Sequence, residues 1–394
     1  MKDREYSNSP KVSDSETIIF LGSYDRGKPR VQLLLEGASK FGLVIQEVHV
    51  DIWHKVKDKS QIQGTLTLFL YVLKWVIYRP LLLYRYCRAP AHHLVVMPYP
   101  GVFDLLVLYP AIRCRGAKIF LDAFISPYDT VVNDRRLTKS NSLLAKVLYS
   151  FEWVAVHIAD VVFLDTECHS NYFRLLFRLP KERSHYVPVG VETSVFQREL
   201  YDPWDGESPL RVLFYGQFVP LQGTLTLLEA ISSWERSSKS SVQWTIIGEG
   251  QDSAEFDRKL ARLDLKSVRR VCWVPYCELP NWIQKSDICC GIFGSSQKAL
   301  NVIPNKIYQA LAVGRPILTT DTPGIRSLLE PGPAIELVRP NDPSAIVTGL
   351  FNLSNRLLER PEDIKASVAQ MPIIGPQVVG AQLASVLRES SDSN

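Results

Sequence analysis

Polar residues able to do chemistry follow buried strands at several points of the sequence. Asp122, Ser126 and Asp129 lie in "LDAFISPYDT", directly after an apolar run. A carboxylate just beyond a strand end in a cleft can orient a hydroxyl group or take its proton, although an aspartate can equally cap a helix. His169 follows "FLDTEC" in the same way, and it can contact a hydroxyl group or be structural. Asp122, Asp129 and His169 are therefore candidate catalytic residues.

Glycines mark a second set of strand ends. In "YGQFVPLQGTLTLLEA", Gly216 follows a strand and Gly223 opens a helix, and "IIGEGQ" places Gly248 and Gly250 after the next strand. Glycine lets backbone amides approach a phosphate, and a helix N-terminus adds partial positive charge. One such loop is a weak signal, because glycine is common between strands and helices. The signal becomes specific when "CWVPYCELPNWIQKSDICC" and "IPNKIYQALAVGRPIL" follow in this order.

Alternating strands and helices must position these residues. The segment "TIIFLGSYDRGKPRVQLLLEGASKFGLVIQEVHV" predicts a βαβ unit that opens a parallel sheet, and a second series of strands starts at "LRVLFYG". The sequence thus predicts an α/β protein with two facing Rossmann-like domains and a cleft at the carboxyl ends of the strands. The predicted segments are a disordered leader (1–15), an N-terminal domain (16–198), a linker (199–209), a C-terminal domain (210–370) and a C-terminal helix with tail (371–394).

Composition narrows the partners and the compartment. A net charge of +4 is too mild to predict a nucleic-acid partner. No two of the seven cysteines form a CxxC pair, and their apolar surroundings favour buried free thiols in a reducing compartment over disulfides or zinc. The N-terminus has no apolar signal-peptide core. We therefore expect a cytoplasmic protein without a metal site.

The segment 64–90 interrupts the first domain with aromatic and aliphatic residues among Lys74, Arg79, Arg85 and Arg88. Its uncharged runs are too short for a transmembrane helix. Two interpretations stay open. The segment forms helices that lie in a membrane interface, or core helices whose basic residues point outward.

The C-terminal half resembles the donor domain of GT-B glycosyltransferases, in particular the family-four group of retaining enzymes. First-domain phrases such as "YDRGKPRVQLLLEG" and "FLDAFISPYDTVVNDRR" resemble a bacterial subgroup of these enzymes, so the resemblance extends over essentially the whole chain. It implies transfer of a sugar from a nucleoside-diphosphate sugar to an acceptor hydroxyl with retention, without a metal or other cofactor. The implied acceptor is a lipid, a glycan or a small molecule, and the implied place is the cytoplasm or the inner face of the cell membrane.

Both basic residues of the family's donor loop are replaced here. The family has Gly-Arg followed five residues later by Lys-Gly, and these cations neutralise the donor diphosphate; this chain has Gln217 and Gln222 instead. Lys298, Lys306 and the amides that open the helix at Asn305 lie in the loop and helix that follow. We infer that these groups replace the missing cations as the diphosphate clamp.

The family's two glutamates, seven residues apart, correspond to Asn301 and Gln309, and Gln309 can still hydrogen-bond ribose hydroxyls. Gly22 and Arg26 lie in "GSYDRGKPR" at the end of the first strand, a segment that would face the diphosphate across the cleft. The predicted donor contacts are Gly22, Arg26, Gly216, Gln217, Gln222, Gly248, Glu249, Gly250, Val274, Pro275, Asn305, Lys306 and Gln309.

The same replacements support a second class of function. A partner subunit that kept the fold and lost turnover would tolerate the loss of both cations and both acids. A GT-B phosphorylase or epimerase is a third alternative, although no additional lysine motif for a phosphate or cofactor site is evident.

Overall fold

Two six-stranded parallel sheets form the framework of the molecule. The computed structural model describes residues 17–53, 70, 73–237 and 241–389. The predicted leader, the tail after residue 389 and most of residues 64–72 lie outside the described residues. The strands of the first sheet are β1 (Thr17–Gly22), β2 (Val44–His49), β3 (Leu94–Met97), β4 (Lys118–Asp122), β5 (Val161–Leu164) and β6 (Ser184–Tyr186). Those of the second are β7 (Leu210–Tyr215), β8 (Val242–Ile247), β9 (Val268–Val271), β10 (Ile288–Cys290), β11 (Ile317–Thr320) and β12 (Ile335–Val338).

Each sheet is doubly wound. The strand orders are β2-β1-β3-β4-β5-β6 and β12-β11-β10-β7-β8-β9. Uninterrupted apolar runs such as Ile18–Leu21 are buried on both faces, as expected for parallel strands between helical layers. The predicted architecture of two Rossmann-like domains is therefore confirmed.

Helices cover both faces of each sheet. The N-terminal domain contains α1 (Pro29–Lys40), α2 (Arg79–Cys87), α3 (Gly101–Cys114), a π-helix (Asp129–Asp134), α4 (Leu143–Ile158) and α5 (Glu167–Phe177). The helices that follow are α6 (Thr224–Ser237), α7 (Ser253–Leu263), α8 (Leu279–Gln284), α9 (Gln297–Asn301), α10 (Asn305–Val313), α11 (Pro323–Arg326), α12 (Pro343–Glu359), α13 (Pro361–Ala369) and α14 (Pro376–Glu389). α2 to α5 share one core with the first sheet, and α1 and α14 share the core on its other face.

The C-terminal helix crosses back to the N-terminal domain. α14 packs on α1, and a Cβ atom added to Gly380 would lie 2.0 Å from the carbonyl oxygen of Gly37. The two backbones thus touch at a point that only glycine fits. The last strand of the first sheet along the chain, β6, also contacts α14.

The prediction that all seven cysteines are buried is wrong. All are free, but Cys87, Cys114, Cys272 and Cys277 are exposed, and only Cys289 and Cys290 are buried. The first two end the helices α2 and α3, where an apolar neighbourhood in sequence does not determine the face on which a side chain lies. No helix among the described residues is long and apolar enough to cross a membrane.

Candidate functional site

Two glycine loops meet at the carboxyl ends of β7 and β8. Gly216 and Gly248 have φ angles of 146° and 142°, which L-residues with side chains rarely adopt. A Cβ atom on Gly248 would lie 1.8 Å from the carbonyl oxygen of Gly216, and one on Gly250 would lie 2.5 Å from that of Phe218. The loops therefore stack backbone on backbone, which brings the predicted glycines together at one edge of the second sheet.

Lys306 reaches this edge from inside the domain. Its side chain starts in the first turn of α10 and is only 5% exposed. Nζ donates to Gln222 Oε1 at 2.6 Å and to the Gly291 carbonyl at 3.2 Å, and it lies 3.8 Å from the ring centroid of Phe214. A Cβ atom on Gly216 would be 3.2 Å from Nζ. The lysine thus contacts both the glycine loop and one of the glutamines that replace the family's cations.

Burial controls the charge of this lysine. Desolvation lowers the pKa of Lys306 from 10.5 to about 7, and electrostatic interaction with Cys290 and Cys289 opposes the shift. Its polar partners are neutral oxygens. The ammonium and neutral amine forms are therefore close in free energy near neutral pH, and an anion placed at the Gly216 loop would favour the charged form.

Gln309 is held inside the same domain. It is 5% exposed, its Oε1 accepts the hydroxyl of Tyr215 at 2.9 Å, and its Nε2 donates to the Tyr276 hydroxyl at 3.5 Å. Burial raises the pKa of Tyr215, so that hydroxyl keeps its proton. An amide fits between two tyrosines better than a carboxylate because it both accepts and donates. The predicted ribose contact of Gln309 stays a prediction.

The remaining donor candidates surround these loops. Asn305 is the first residue of α10 after its N-cap, Pro304. Glu249 is exposed, and its carbonyl accepts the amide of Phe218 at 3.0 Å. The other three candidates are all partly buried: Gln217, Val274 and Pro275.

Lys298 points into the N-terminal domain. Its Nζ donates to Thr130 Oγ1 at 3.1 Å, next to the place where Ser296 Oγ donates to Asp134 Oδ1 at 2.9 Å. Burial lowers the pKa of Lys298, and the carboxylates of Asp134, Asp129 and Asp165 oppose that shift. Lys298 and Lys306 share no hydrogen-bond partner among the described residues, and their joint role as a diphosphate clamp stays a prediction.

Asn301 also contributes to the contact between the domains. Its Nδ2 donates to the carbonyl of Gln297 in the preceding turn at 2.7 Å, and its own carbonyl accepts the Thr166 hydroxyl at 2.5 Å. Thr166 Oγ1 also caps α5 by accepting the amide of His169. A cap residue of one domain is thereby joined to the end of α9 in the other.

Asp129 opens the π-helix and is buried. Its Oδ1 accepts Asn133 Nδ2 and the Tyr172 hydroxyl, both at 2.8 Å, while Oδ2 has no partner. The neighbouring Glu152 accepts the Ser126 hydroxyl at 2.8 Å. Burial raises the pKa of Glu152 to about 8. The region therefore holds one carboxyl that is neutral near pH 7 beside an aspartate with an unfilled acceptor.

His169 has a partner that the sequence analysis missed. Its Nδ1 lies 2.5 Å from Asp165 Oδ1, and both side chains are 1% exposed. Asp165 is four residues earlier in "DTECH", just before the N-cap of α5, so the i,i+4 spacing was visible in the sequence. A carboxylate fixes the tautomer and orientation of an imidazole, which is the arrangement of an acid–base or hydroxyl-binding histidine.

Asp122 forms a buried salt bridge with Arg30. Both of its oxygens accept from Arg30, at 2.9 and 3.1 Å, and the carboxylate is completely buried. Arg30 also donates to the carbonyls of Val187 and Leu164. Asp122 thus ties α1 to the strand ends of the first sheet, a structural role that leaves its predicted contact with an acceptor untested.

The loop after β1 is fixed by Asp104. A Cβ atom on Gly22 would lie 3.0 Å from Asp104 Oδ2, which accepts the Ser23 amide at 2.5 Å. Arg26 is exposed and pairs with Glu47 at 2.9 Å. Arg26 therefore lies at the β2 edge of the sheet, with Glu47 holding its guanidinium.

A polar cavity of about 1000 Å³ opens between the domains beside Lys298. Asn133, Arg136, Thr138 and Tyr172 line it from the first domain, and Ser295 to Gln297 line it from the second. Hydroxyl and amide groups on both walls, with the Arg136 guanidinium on the first, suit a hydrophilic, hydroxyl-rich ligand. Within the described part of the chain, no three His, Cys, Asp or Glu residues are placed to hold a metal ion.

Comparison with known proteins agrees with this geometry. Residues 209–356 match the family model for glycosyl transferases group 1. The amylovoran biosynthesis glycosyltransferase AmsK of Erwinia amylovora is 26% identical over 177 residues, which cover 44% of this chain and 43% of that protein. The chain thus aligns with less than half the length of this curated relative.

Solved structures extend the similarity to the whole fold. A sucrose-phosphate synthase from Thermosynechococcus elongatus superposes with a TM-score of 0.67 at 14% identity, covering 96% of this chain and all of that one. HepE of Anabaena in complex with UDP-glucose superposes with a TM-score of 0.60 at 14% identity, covering 95% of this chain and 100% of HepE. The chain therefore has the GT-B fold, and its residues 209–356 are similar to the glycosyl transferases group 1.

Proposed function

We propose that this protein is a glycosyltransferase that moves a sugar from a nucleoside-diphosphate sugar to an acceptor hydroxyl with retention. The observation that carries the proposal is Lys306, a buried lysine with no acidic hydrogen-bond partner in the described part of the chain, whose Nζ lies beside Gly216. A diphosphate leaving group gains negative charge as the glycosidic bond breaks, and a preorganised cation stabilises that charge. Lys306 and the amides that open α10 supply such a site.

In this proposal the N-terminal domain supplies the acceptor side of the cleft. In a front-face displacement the leaving diphosphate can itself take the proton of the acceptor hydroxyl, so the protein mainly orients the reactants. His169, fixed by Asp165, and Asp129, with an unfilled oxygen, are the groups that we assign to this orientation. Lys298 would fix the position of the two domains next to these groups by its hydrogen bond to Thr130.

UDP-glucose in HepE and the name of AmsK support a nucleotide-sugar donor and a role in polysaccharide, glycolipid or other glycoconjugate synthesis. The acceptor in this proposal is a lipid, glycan or small molecule. If residues 64–90 lie in a membrane interface, the acceptor is presented at the inner face of the membrane.

A panel of UDP-, GDP- and ADP-sugars tests the proposal. Purified protein should bind one donor saturably and hydrolyse it slowly, and Lys306→Met should remove both properties. Lys259→Met is the matched control, since Lys259 pairs with Glu229 on the surface of α6 and α7. NMR of the released sugar or the transfer product should show the anomeric configuration of the donor; inversion would contradict retention.

A non-catalytic partner subunit is the second candidate, favoured by the two glutamines and by Gln309 in place of charged residues. This alternative predicts one of two results. Either no donor in the panel binds, or a donor binds but is neither hydrolysed nor transferred to any acceptor that is added. A GT-B epimerase instead predicts free nucleoside diphosphate and an isomerised sugar without an acceptor.

A further inference from the structure

The outward side of α4 is apolar. Leu144, Val147, Phe151 and Val154 recur at intervals of three or four residues and therefore share one face of the helix. They are 40 to 53% exposed, and Leu143 at the start of the helix is 79% exposed. A helix of a globular domain normally turns its apolar face inward. This one presents an apolar face to the outside as well.

The neighbouring helices continue this surface. α3 contacts both α2 and α4, so the three helices lie side by side over the first sheet. Phe103 and Val107 are exposed four residues apart on α3, and Leu81 and Tyr84 are exposed three apart on α2. We define the outer surface of α2, α3 and α4 as the apolar face of the N-terminal domain. Exposed apolar residues gathered on adjacent helices mark an interaction site.

The exposed charged side chains on these three helices are all positive. Their two carboxylates, Asp104 and Glu152, are 2% and 1% exposed and point into the domain. Lys146, Arg85 and the adjoining Arg88 are exposed. The outer surface of these helices therefore combines apolar side chains with positive charge and no exposed acid.

We infer that this face docks on an anionic lipid bilayer, with α4 as a principal contact. Aliphatic and aromatic side chains beside Lys and Arg are what an interfacial helix inserts at the boundary of headgroups and acyl chains. The exposed Trp153, stacked on His157 at 4.0 Å, adds an amphipathic ring of the kind that favours this boundary. A second copy of the chain is a poorer occupant, because a two-fold interface would oppose like charges.

The inference is independent of the proposed donor chemistry, and it extends the membrane contact considered for segment 64–90, which contains α2, to α3 and α4. It requires neither a nucleotide sugar nor an acceptor, and most of its contact residues lie on α3 and α4. Vesicle binding and donor hydrolysis are separate measurements, so either can fail alone.

Flotation of the full-length protein with lipid vesicles tests the inference. Wild type should float with vesicles of phosphatidylethanolamine and phosphatidylglycerol and much less with phosphatidylcholine. Leu144→Ser combined with Phe151→Ser should weaken binding at least tenfold, about what loss of two half-exposed apolar side chains from an interface predicts. Lys146→Gln should weaken binding to the anionic vesicles about fivefold.

Phe351→Ser is the matched control, because Phe351 is 54% exposed on α12 in the other domain, close to the 50% of Phe151. It should leave flotation unchanged, and thermal unfolding should show that all variants are folded. Three results would overturn the inference: no flotation of wild type, an equal loss in Phe351→Ser, or a dimer in light scattering that Phe151→Ser dissociates while vesicle binding is absent.

Discussion

Donor binding should be coupled to the uptake of a proton by Lys306. In the free protein this lysine has a pKa of about 7, because burial disfavours its charge and its partners Gln222 and Gly291 are neutral. Only the charged form can neutralise a diphosphate. Binding of the donor therefore selects the ammonium, and the affinity should fall as the pH rises through the pKa of the free lysine.

The size of the effect follows from the charged fraction. With a pKa of about 7, that fraction falls from about nine-tenths at pH 6 to about one-tenth at pH 8, so the apparent Kd should rise roughly tenfold. Calorimetric titration of the donor in buffers of different ionisation enthalpy should give close to one proton taken up at pH 8 and almost none at pH 6. The diphosphate ester of a nucleotide sugar does not itself titrate in this range.

The variants make the assignment specific. Lys306→Met should lose the proton uptake together with most of the affinity, whereas Lys259→Met should keep both. A flat Kd between pH 6 and 8 with no proton uptake, in a protein that does bind the donor, would refute the reasoning, since the lysine would then be charged throughout or remote from the diphosphate.

The same lysine should make the free energy of unfolding of the free protein depend on pH. Its folded pKa of about 7 is lower than the unfolded value of 10.5, so between these limits the unfolded chain carries an extra proton. The free energy of unfolding should therefore rise with pH in this window by up to about 1.4 kcal/mol per pH unit from this group, and fall as the pH drops toward 7. Lys306→Met should remove that contribution, as measured by urea unfolding at several pH values.

Two further substitutions separate structural from functional roles. Asp122→Asn leaves Arg30 buried without its partner, so it should lower the free energy of unfolding by about 3 kcal/mol or more in urea; a variant that loses transfer at unchanged stability would instead favour an acceptor contact. Gly248→Ala places a Cβ atom 1.8 Å from the Gly216 carbonyl oxygen, so the two loops must separate and donor affinity in calorimetry should fall at least tenfold; unchanged affinity would show that the donor does not depend on this stack.

The architecture could be predicted because it depends on local patterns. Continuous apolar runs predict strands buried on both faces, and the glycines at 216 and 248 stand where the loops touch. The side-chain partners could not be predicted in the same way. Arg30 and Asp122 are 92 residues apart, and Lys298 and Thr130 are 168 apart. Such pairs depend on how helices and domains settle against one another, which spacing in the sequence does not contain.

α4 shows why composition alone misjudges a face. Its sequence "LLAKVLYSFEWVAVHI" is apolar on nearly every side, a pattern that predicts a helix buried all round. The structure buries Glu152, which bonds Ser126 and the Tyr128 amide, and leaves Phe151 exposed. The carboxyl has specific partners inside the domain, so Glu152 turns inward beside Val156 while Phe151 turns outward. The identity of the inward side chains, rather than mean hydropathy, sets the orientation.

The replaced cations change how the donor site can work. An arginine at position 217 would be charged whether or not a donor is bound, and would attract any anion. Lys306 lies in a desolvated site, where Gln222 Oε1, the Gly291 carbonyl and the face of Phe214 stabilise its charge. Under the proposed function, the protein avoids a full buried charge at pH above about 7 until a diphosphate supplies the counter-charge. Linkage is reciprocal: a diphosphate that raises the charged fraction of Lys306 is also bound more tightly by the charged form. An uncharged sugar does not favour the ammonium form, so it gains no affinity from this protonation.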